Sequence, residues 1–215
     1  SNGVEWRDDL FDLWKEFKLV RFHYSVDSIH EMNDYIRYPS VWSRTSEVFH
    51  ILDNETSNNV EVTVACAVQA LNIYYLPDFI KWKLNEGFKK INMWPFGAGG
   101  INYHFVYHPP HLNVKVLPKW FKEECRKKYE EFYPWWEANW EKGVPSWHKG
   151  KVDYDKWRSA SYGIDRLDGM LKFMESEDWS VRLPEMKEFL DLCDTQRGIT
   201  FAETFPEMKD IFKDV

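Results

Sequence analysis

Cysteine is scarce in this sequence, and the few that occur are far apart. The chain of 215 residues has three, Cys66, Cys125 and Cys193. An odd number of cysteines at such distances suits neither a disulfide framework nor a paired-cysteine metal site. We therefore expect three reduced thiols, with Cys66 in a strand and the other two on helices.

Long apolar and long basic runs are also missing. No segment approaches the roughly 20 apolar residues that span a bilayer, and Glu5, Arg7, Asp8 and Asp9 interrupt the region where a signal peptide would be apolar. The net charge is −7 and the isoelectric point is near 5.5. These features argue against a membrane protein and against nucleic acid as a partner, so we expect a cytoplasmic protein.

Aromatic residues, by contrast, are abundant. They make up 18% of the chain, which contains 12 tryptophans. Such side chains supply large packing surfaces, and core packing is favoured here over a stacking pocket for a ligand. With 44% hydrophobic residues, a chain of this length can bury a sizeable core.

Strand and helix patterns alternate through the first half of the chain. The pattern predicts helices over Trp6–Phe17, Val41–Asp53 and Leu76–Leu84, and strands over Leu19–Val26, Val60–Val68, Lys90–Trp94 and Leu112–Val116. Strand, helix and strand at this spacing predict parallel βαβ units. From Pro118 onward the sequence is mostly helical, with a tryptophan-rich connection.

Ligands of parallel α/β folds gather at the carboxyl ends of the strands. Polar or special residues follow each predicted strand, and we expect them to lie on one rim: Ser25, Asp27, Gln69, Asn72, Met93 and Pro95. Arg37 comes shortly after the first strand. Its guanidinium could hold a ligand carboxylate in two hydrogen bonds, or it could pair with Asp27 or Asp34 within the protein.

Several short motifs occur in an order that resembles a known family. They are Tyr24-Ser-Val-Asp27, Tyr35-Ile-Arg-Tyr-Pro39 with Trp42, Asn72-Ile-Tyr-Tyr-Leu-Pro77, Pro110–Pro118, Asp178-Trp-Ser180, and Leu192-Cys-Asp194 with Arg197 and Phe205-Pro-Glu207. The chain resembles the twitch-domain-containing radical S-adenosylmethionine enzymes, a group common in bacteria and tailed phages. The resemblance extends from about Phe22 to the last residues and rests on the order and spacing of individually weak motifs.

The resemblance implies a fold and two cofactors. The predicted strands resemble the later strands of a β/α barrel, so the expected fold is α/β, a partial parallel barrel over residues 1–117 followed by a helical, twitch-like extension over residues 118–215. S-adenosylmethionine and a [4Fe–4S] cluster are the implied cofactors of the intact parent protein. The implied substrate class is a peptide or protein, held between the barrel and the extension.

The chain departs from the family in one important respect. The Cys-x-x-x-Cys-x-x-Cys motif whose thiolates hold the cluster is absent, and three isolated cysteines do not replace it. We therefore expect the chain to be the C-terminal part of a radical enzyme or the product of a split gene. Its partner would be the missing N-terminal half of the barrel, and the chain alone would be inactive. A half-barrel would leave the edge of its first strand unpaired.

The resemblance also implies roles for the rim residues. Ser25 and Asp27 would contact the ribose and methionine parts of S-adenosylmethionine, although Asp27 could instead cap the following turn. Arg37 would hold the methionine carboxylate. Gln69 and Asn72 could read adenine edges or satisfy the loop backbone. The aromatic residues beside Pro95 could stack on adenine or pack in the core.

Two other functions remain open from the sequence. The chain could be a non-enzymatic binding module that kept the half-barrel and lost the cluster. It could also be a histidine-dependent metal hydrolase, because His104, His108 and His111 form the one cluster with suitable composition. However, Pro109 and Pro110 forbid a helix at the third histidine, and no glutamate of the HExxH type accompanies the cluster.

Overall fold

The computed structural model describes residues 7–55, 57, 59–91, 98–143 and 159–215. Three strands lie in these ranges: β1 (Val20–Ser25), β2 (Val60–Val68) and β3 (Ile101–Phe105). The helices are α1 (Asp8–Trp14), α2 (His30–Ile36), α3 (Trp42–Asn54), α4 (Leu76–Asn85), α5 (Lys119–Asn139), α6 (Ala160–Glu175), α7 (Leu183–Arg197) and α8 (Phe201–Thr204). The chain is therefore α/β, as the sequence predicts.

The three strands form a parallel sheet in the order β1-β2-β3. The β-branched and apolar residues of β2 favour a strand, and every second side chain, from Val60 to Val68, is buried. Helix α3 covers this buried face of the sheet, since the Tyr24 hydroxyl donates a 2.9 Å hydrogen bond to the Thr45 carbonyl. The prediction of parallel βαβ units is confirmed.

Within the described residues, the opposite face of the sheet is polar and poorly covered. We call it the open face; it carries Arg21, His23, Ser25, Glu61, Thr63, Ala65, Ala67, Asn102 and His104. Paired residues of neighbouring strands contact each other there: Arg21 Nε lies 2.9 Å from a Glu61 oxygen, and His23 Nδ1 lies 2.7 Å from the Thr63 hydroxyl. Arg21, His23 and His104 are exposed, and the other members are half-buried.

The C-terminal helices pack against the rest of the chain through buried polar contacts. The Tyr35 hydroxyl of α2 donates a 2.6 Å hydrogen bond to Asp194 of α7. The buried Lys122 of α5 donates to the carbonyls of Lys115 and Glu177, each at 2.9 Å. One hydrophobic cluster includes side chains from both sides of residue 117, the expected boundary between barrel and extension.

One predicted strand is wrong, and another lies mostly outside the described residues. Lys90 and Ile91 lie in a bend and a turn, and residues 92–94 are outside the described residues; the third strand of the sheet is β3. Leu112–Val116 forms parts of two 3₁₀ turns, Pro110–Leu112 and Val114–Val116. The Asn113 side chain accepts a 3.0 Å hydrogen bond from Lys115 N, which favours a turn over an extended strand.

Two further elements escape sequence reasoning. Helix α2 occupies seven residues that appear in the sequence as a polar turn followed by a loop. Strand β3 has the alternation Ile101, Tyr103, Phe105, but glycine, proline and histidine surround it and hide this pattern. Within the described residues the sheet has three strands and does not close into a barrel. None of the helices in those residues has the length and apolar character needed to cross a membrane.

The contact between α5 and α6 generates a stability prediction. A Cβ atom at Gly163 would lie 2.4 Å from the Trp136 ring, whose indole N–H donates a 2.9 Å hydrogen bond to the Ala160 carbonyl. We expect Gly163→Ala to lower the free energy of unfolding by about 1–3 kcal/mol through overpacking, despite the better helix propensity of alanine.

Gly169 on the same helix is the matched control. A Cβ there meets no atom within 4 Å, so Gly169→Ala should leave stability unchanged or raise it by up to about 1 kcal/mol. Urea denaturation of both variants measures the difference. Equal effects of the two substitutions would contradict the close packing of α5 on α6.

Candidate functional site

Asp27 lies at the centre of the polar residues that follow the strands. It is 3% exposed, and its Oδ1 accepts a 2.6 Å hydrogen bond from the backbone N–H of Ala67, at the end of β2. Its own backbone N–H donates to Asn33 Oδ1 of α2 at 3.2 Å. The residue therefore joins the segment after β1 both to β2 and to α2.

Arg37 follows α2 and pairs with Asp27. Its Nη2 donates to Asp27 Oδ1 at 3.1 Å, and its Nε lies 2.8 Å from Asp27 Oδ2. The Nε–H does not point at that oxygen, so this buried donor has no hydrogen-bond partner within the described residues. Pairing with Asp27 is one of the interpretations that the sequence leaves open, beside pairing with Asp34 and binding of a ligand carboxylate.

Asn72 connects the segments after β1 and β2. It is fully buried, and its Nδ2 donates to the carbonyls of Asp27 and Ala67, each at 2.9 Å. Its Oδ1 accepts a 2.8 Å hydrogen bond from Gln69 N. Both ends of the amide are used by the backbone, so the structure favours the loop-satisfying role of Asn72 over the reading of a ligand.

The side chains of Gln69 and Ser25 make no hydrogen bond to another described residue. Gln69 is buried, and within the described residues its side-chain amide has no hydrogen bond; the bonds at this residue involve its backbone. Ser25 is the last residue of β1 and lies half-buried on the open face, opposite Ala65. Of the expected rim residues, Ser25 and Gln69 are thus the ones whose polar side chains remain available to a ligand.

Burial has the largest effect on the pKa values of Asp27 and of its neighbour Cys66. Desolvation raises the pKa of Asp27, and the Arg37 charge and the Ala67 N–H oppose that shift without overcoming it. The Cys66 thiol lies beside this carboxylate and donates a long 3.7 Å contact to the Asp27 carbonyl. Its pKa is raised well above the usual value, first by burial and then by the Asp27 charge. Cys66 is therefore a packing residue with no thiolate character.

The C-terminal region covers this edge of the sheet. Ala70 N donates to the Leu112 carbonyl at 2.9 Å, and Asn113 Nδ2 donates to the Val106 carbonyl at 2.8 Å, so the segment after β3 joins the cluster. The His111 ring contacts Phe189 of α7, with 5.1 Å between ring centroids. Helix α7 thus packs over the carboxyl ends of the strands.

The structure brings some predicted residues together and separates others. Asp27, Arg37, Asn72 and Gln69 form one buried network, and Ser25 lies beside it on the open face. Met93 and Pro95 lie outside the described residues. His104 is on β3, His108 follows it, and His111 is in a 3₁₀ turn; within the described ranges no group of three histidine, cysteine or acidic residues is arranged to hold a metal ion.

The cysteines do not fit an iron–sulfur cluster. Cys66, Cys125 and Cys193 are free and buried on β2, α5 and α7, as the sequence predicts. Burial raises the pKa of each thiol, and the three do not converge. Since a cluster needs several thiolates around one point, the described part of this chain cannot hold it.

Sequence reasoning missed two residues that organise the site, Asn33 and Asn113. Each uses its side-chain amide to bond the backbone of a segment that leaves the sheet. Both asparagines are buried, and their backbone partners lie only six and seven residues away along the chain. A buried asparagine has no distinguishing signal in a single sequence.

Comparison with known proteins identifies no relative. No protein-family model, no curated protein and no solved structure matches the chain.

Asn72 generates a prediction about the cluster. Asn72→Asp keeps the shape but replaces a donor with an oxygen that faces the carbonyls of Asp27 and Ala67. We expect a loss of roughly 2–4 kcal/mol in the free energy of unfolding, because a buried charge would replace two hydrogen bonds. Asn102→Asp, the same change at a half-buried position of the open face, should cost no more than about 0.5 kcal/mol. Chemical denaturation at neutral pH compares the two, and similar losses would contradict the role given to Asn72.

The raised pKa of Asp27 generates a prediction about pH. The folded protein holds this proton more tightly than the unfolded chain, whose ordinary value is 3.8. The stability that Asp27 contributes is therefore fully present below the unfolded pKa and is lost as the pH rises through the folded pKa. The difference in unfolding free energy between the wild type and Asp27→Asn should fall as pH rises from 3.8 and then level off.

Glu177→Gln provides a control of opposite sign. A hydrogen bond from Lys115 lowers the pKa of the exposed Glu177, so its contribution is present above the unfolded value and is lost as the pH falls through the folded pKa. Urea denaturation from about pH 3 to about pH 8 follows both differences. A difference for Asp27 that rises with pH would show that pairing with Arg37, and not burial, dominates.

Proposed function

We propose that this chain is the C-terminal part of a radical S-adenosylmethionine enzyme. In this proposal residues 1–117 form the later part of a parallel β/α barrel, and residues 118–215 form a helical extension that contributes substrate contacts. A preceding half of the barrel holds the cluster. The motifs from Tyr24 to Glu207 provide the starting point, and the geometry of the sheet supplies the physical support.

The open face is the observation that carries the proposal. Parallel sheets are almost always covered on both faces, because their crossover connections place protein there. In this sheet, strands that follow one another in the sequence are also neighbours in space. Right-handed crossovers produce this order when the successive connecting helices all lie on the same side of the sheet, as they do in a barrel. The other face would be the interior of that barrel. Its polar and small side chains, half-buried or exposed, suit a surface that meets further strands and a ligand.

The free edge of β1 supports the same arrangement. Val20 N and Val26 N bond to the β2 side, so the backbone groups of alternate residues, Arg21 and Ser25 among them, point to the other edge. Within the described residues β1 pairs with β2 alone. Four apolar side chains on α1 and the connection to β1 are between 43% and 56% exposed: Leu10, Leu13, Phe17 and Leu19. A preceding βα unit would pair with this edge and cover these side chains.

The roles of the rim residues follow from their surroundings. Ser25 lies next to Ala65, and Ala67 follows on the same face, so this end of the sheet offers a hydroxyl beside two small side chains. We assign the ligand contacts to Ser25, Gln69 and the exposed part of the Arg37 side chain, which is 23% exposed. Asp27 and Asn72 act as positioning residues, because their polar atoms already bind Arg37 and the loop backbone.

The chain alone is inactive in this proposal. S-adenosylmethionine, when bound, supplies radical chemistry only together with a reduced cluster, and the described residues offer no thiolates for one. The chain's own contribution is to bind one side of the ligand and to shield it from water.

A non-enzymatic binding module is the second candidate. It is favoured by one observation: Asp27, Asn72 and Arg37 bind each other, and the C-terminal helices pack over this edge of the sheet. A module that had lost its cofactor would keep such internal bonds for stability alone. The two candidates differ in whether a cluster-bearing half exists.

The coding sequence that precedes Val4 tests the proposal. We expect a reading frame, continuous with this one or directly before it, that encodes Cys-x-x-x-Cys-x-x-Cys about a hundred residues upstream, the length of a missing half-barrel. A genuine start codon near Val4 without such a frame would leave the binding module as the better interpretation.

Co-purification of this chain with the upstream half tests whether the two halves meet at the free edge of β1. Leu10→Glu combined with Leu13→Glu should abolish the complex, because it places two charges against the partner. The control is Leu192→Glu, at a residue 55% exposed on α7, which should leave the complex intact.

Ser25→Trp should also leave the complex intact but weaken S-adenosylmethionine binding at least about tenfold in calorimetry, because the indole fills the space over Ala65. Retention of the complex by the double variant would place the partner elsewhere.

A further inference from the structure

A cleft with a volume of about 340 Å³ lies between β3 and α6. Asn102, Tyr103 and Phe105 form its strand side, and Arg166, Gly169 and Met170 are on its helix side. It is located at the edge of the sheet opposite β1. A volume of a few hundred Å³ is typical of sites that bind small molecules or short peptide segments.

The strand side of the cleft presents backbone groups that have no partner among the described residues. Val106 N donates to the Val68 carbonyl at 2.9 Å, so the even-numbered residues at this end of β3 point their N–H and C=O groups at β2. The groups of Tyr103 and Phe105 therefore point into the cleft. Within the described residues β3 pairs with β2 alone. Unpaired groups along an edge strand are a template for a further strand.

The helix side leaves room for a chain to lie along this edge. Tyr162, Asp165, Arg166, Gly169 and Met170 recur at helical spacing and form one stripe along α6. Gly169 is exposed near the C-terminal end of the stripe, and a Cβ there would meet no atom within 4 Å. The missing side chain thus widens the cleft opposite β3.

Arg166 supplies a charge that can select the occupant. Its Nε donates a 2.9 Å hydrogen bond to the Tyr162 hydroxyl, which orients the exposed guanidinium at the cleft. The terminal N–H groups have no ion pair with another described residue. A carboxylate on the occupant would pair with them in two hydrogen bonds.

We propose that an extended peptide segment binds in this cleft as a fourth strand along β3, with an acidic side chain facing Arg166. Main-chain hydrogen bonds to Tyr103 and Phe105 provide affinity, and Arg166 provides selectivity. The proposal rests on the free edge of β3 and on the cleft beside it.

A defined peptide tests the proposal with the unmodified chain. The probe is acetyl-Thr-Val-Glu-Val-Thr-amide, titrated into ¹⁵N-labelled protein and followed by the amide resonances of β3 and α6. Two N-methylated forms block either one edge of the peptide or the other. We expect one form to bind at least about tenfold more weakly and the other to bind within about twofold of the parent, because only one edge of an added strand bonds to β3. Equal effects of the two forms would overturn strand addition.

Protein variants test the position and the charge. Gly169→Leu should weaken the probe at least about tenfold by filling the cleft, whereas Lys172→Leu, on the exposed side of the same helix, should change affinity less than about twofold. Replacing the peptide glutamate with glutamine should weaken binding to the wild type but not to Arg166→Gln. Absence of probe binding at millimolar concentration, or an equal effect of the two leucine substitutions, would overturn the proposal.

Discussion

The rest of the structure depends on how the segments leaving the carboxyl ends of the sheet satisfy their buried polar groups. Asp27 and Asn72 do most of this. The Asp27 carboxylate bonds the end of β2, and its carbonyl receives the Asn72 amide, which also holds the Ala67 carbonyl. Each unsatisfied group at such depth would cost about 1–3 kcal/mol, so the bonds constrain the path of every segment that leaves the sheet. Helices α2 and α7 pack over these segments.

This constraint separates structural residues from those free to bind a ligand. Asp27 and Asn72 are engaged by the protein itself, so a polar residue at a strand end is not a ligand contact merely because of its position. The groups without a partner among the described residues are elsewhere: on the open face around Ser25, along the free edge of β1, and at the free edge of β3. A three-stranded parallel sheet with one covered face has an uncovered face and two unpaired edges, and the two proposals assign occupants to them.

Much of the fold follows from local pattern. The β-branched run of β2 and the proline-initiated helix α4 are in the structure nearly where the sequence predicts them. The Asp27–Arg37 pair is also among the interpretations that the sequence offers for Arg37. The misses have physical causes. Strand β3 is short and surrounded by turn-forming residues, whereas Leu112–Val116 has strand propensity that the Asn113 side chain and flanking prolines override. The barrel, the cofactors and the domain boundary at residue 117 stay predictions.

The sequence by itself determined the parallel α/β class, the placement of one cysteine on a strand and two on helices, and the polar residues after β1 and β2, because periodicity and composition are local properties. Only the tertiary structure decided which of those residues are already satisfied, since Asp27 bonds the backbone of Ala67 and the side chain of Asn72, which lie 40 and 45 residues away along the chain. It also decided that the cleft beside β3 exists. That cleft requires an edge strand and a helix separated by more than fifty residues to lie side by side, and no local pattern encodes their separation.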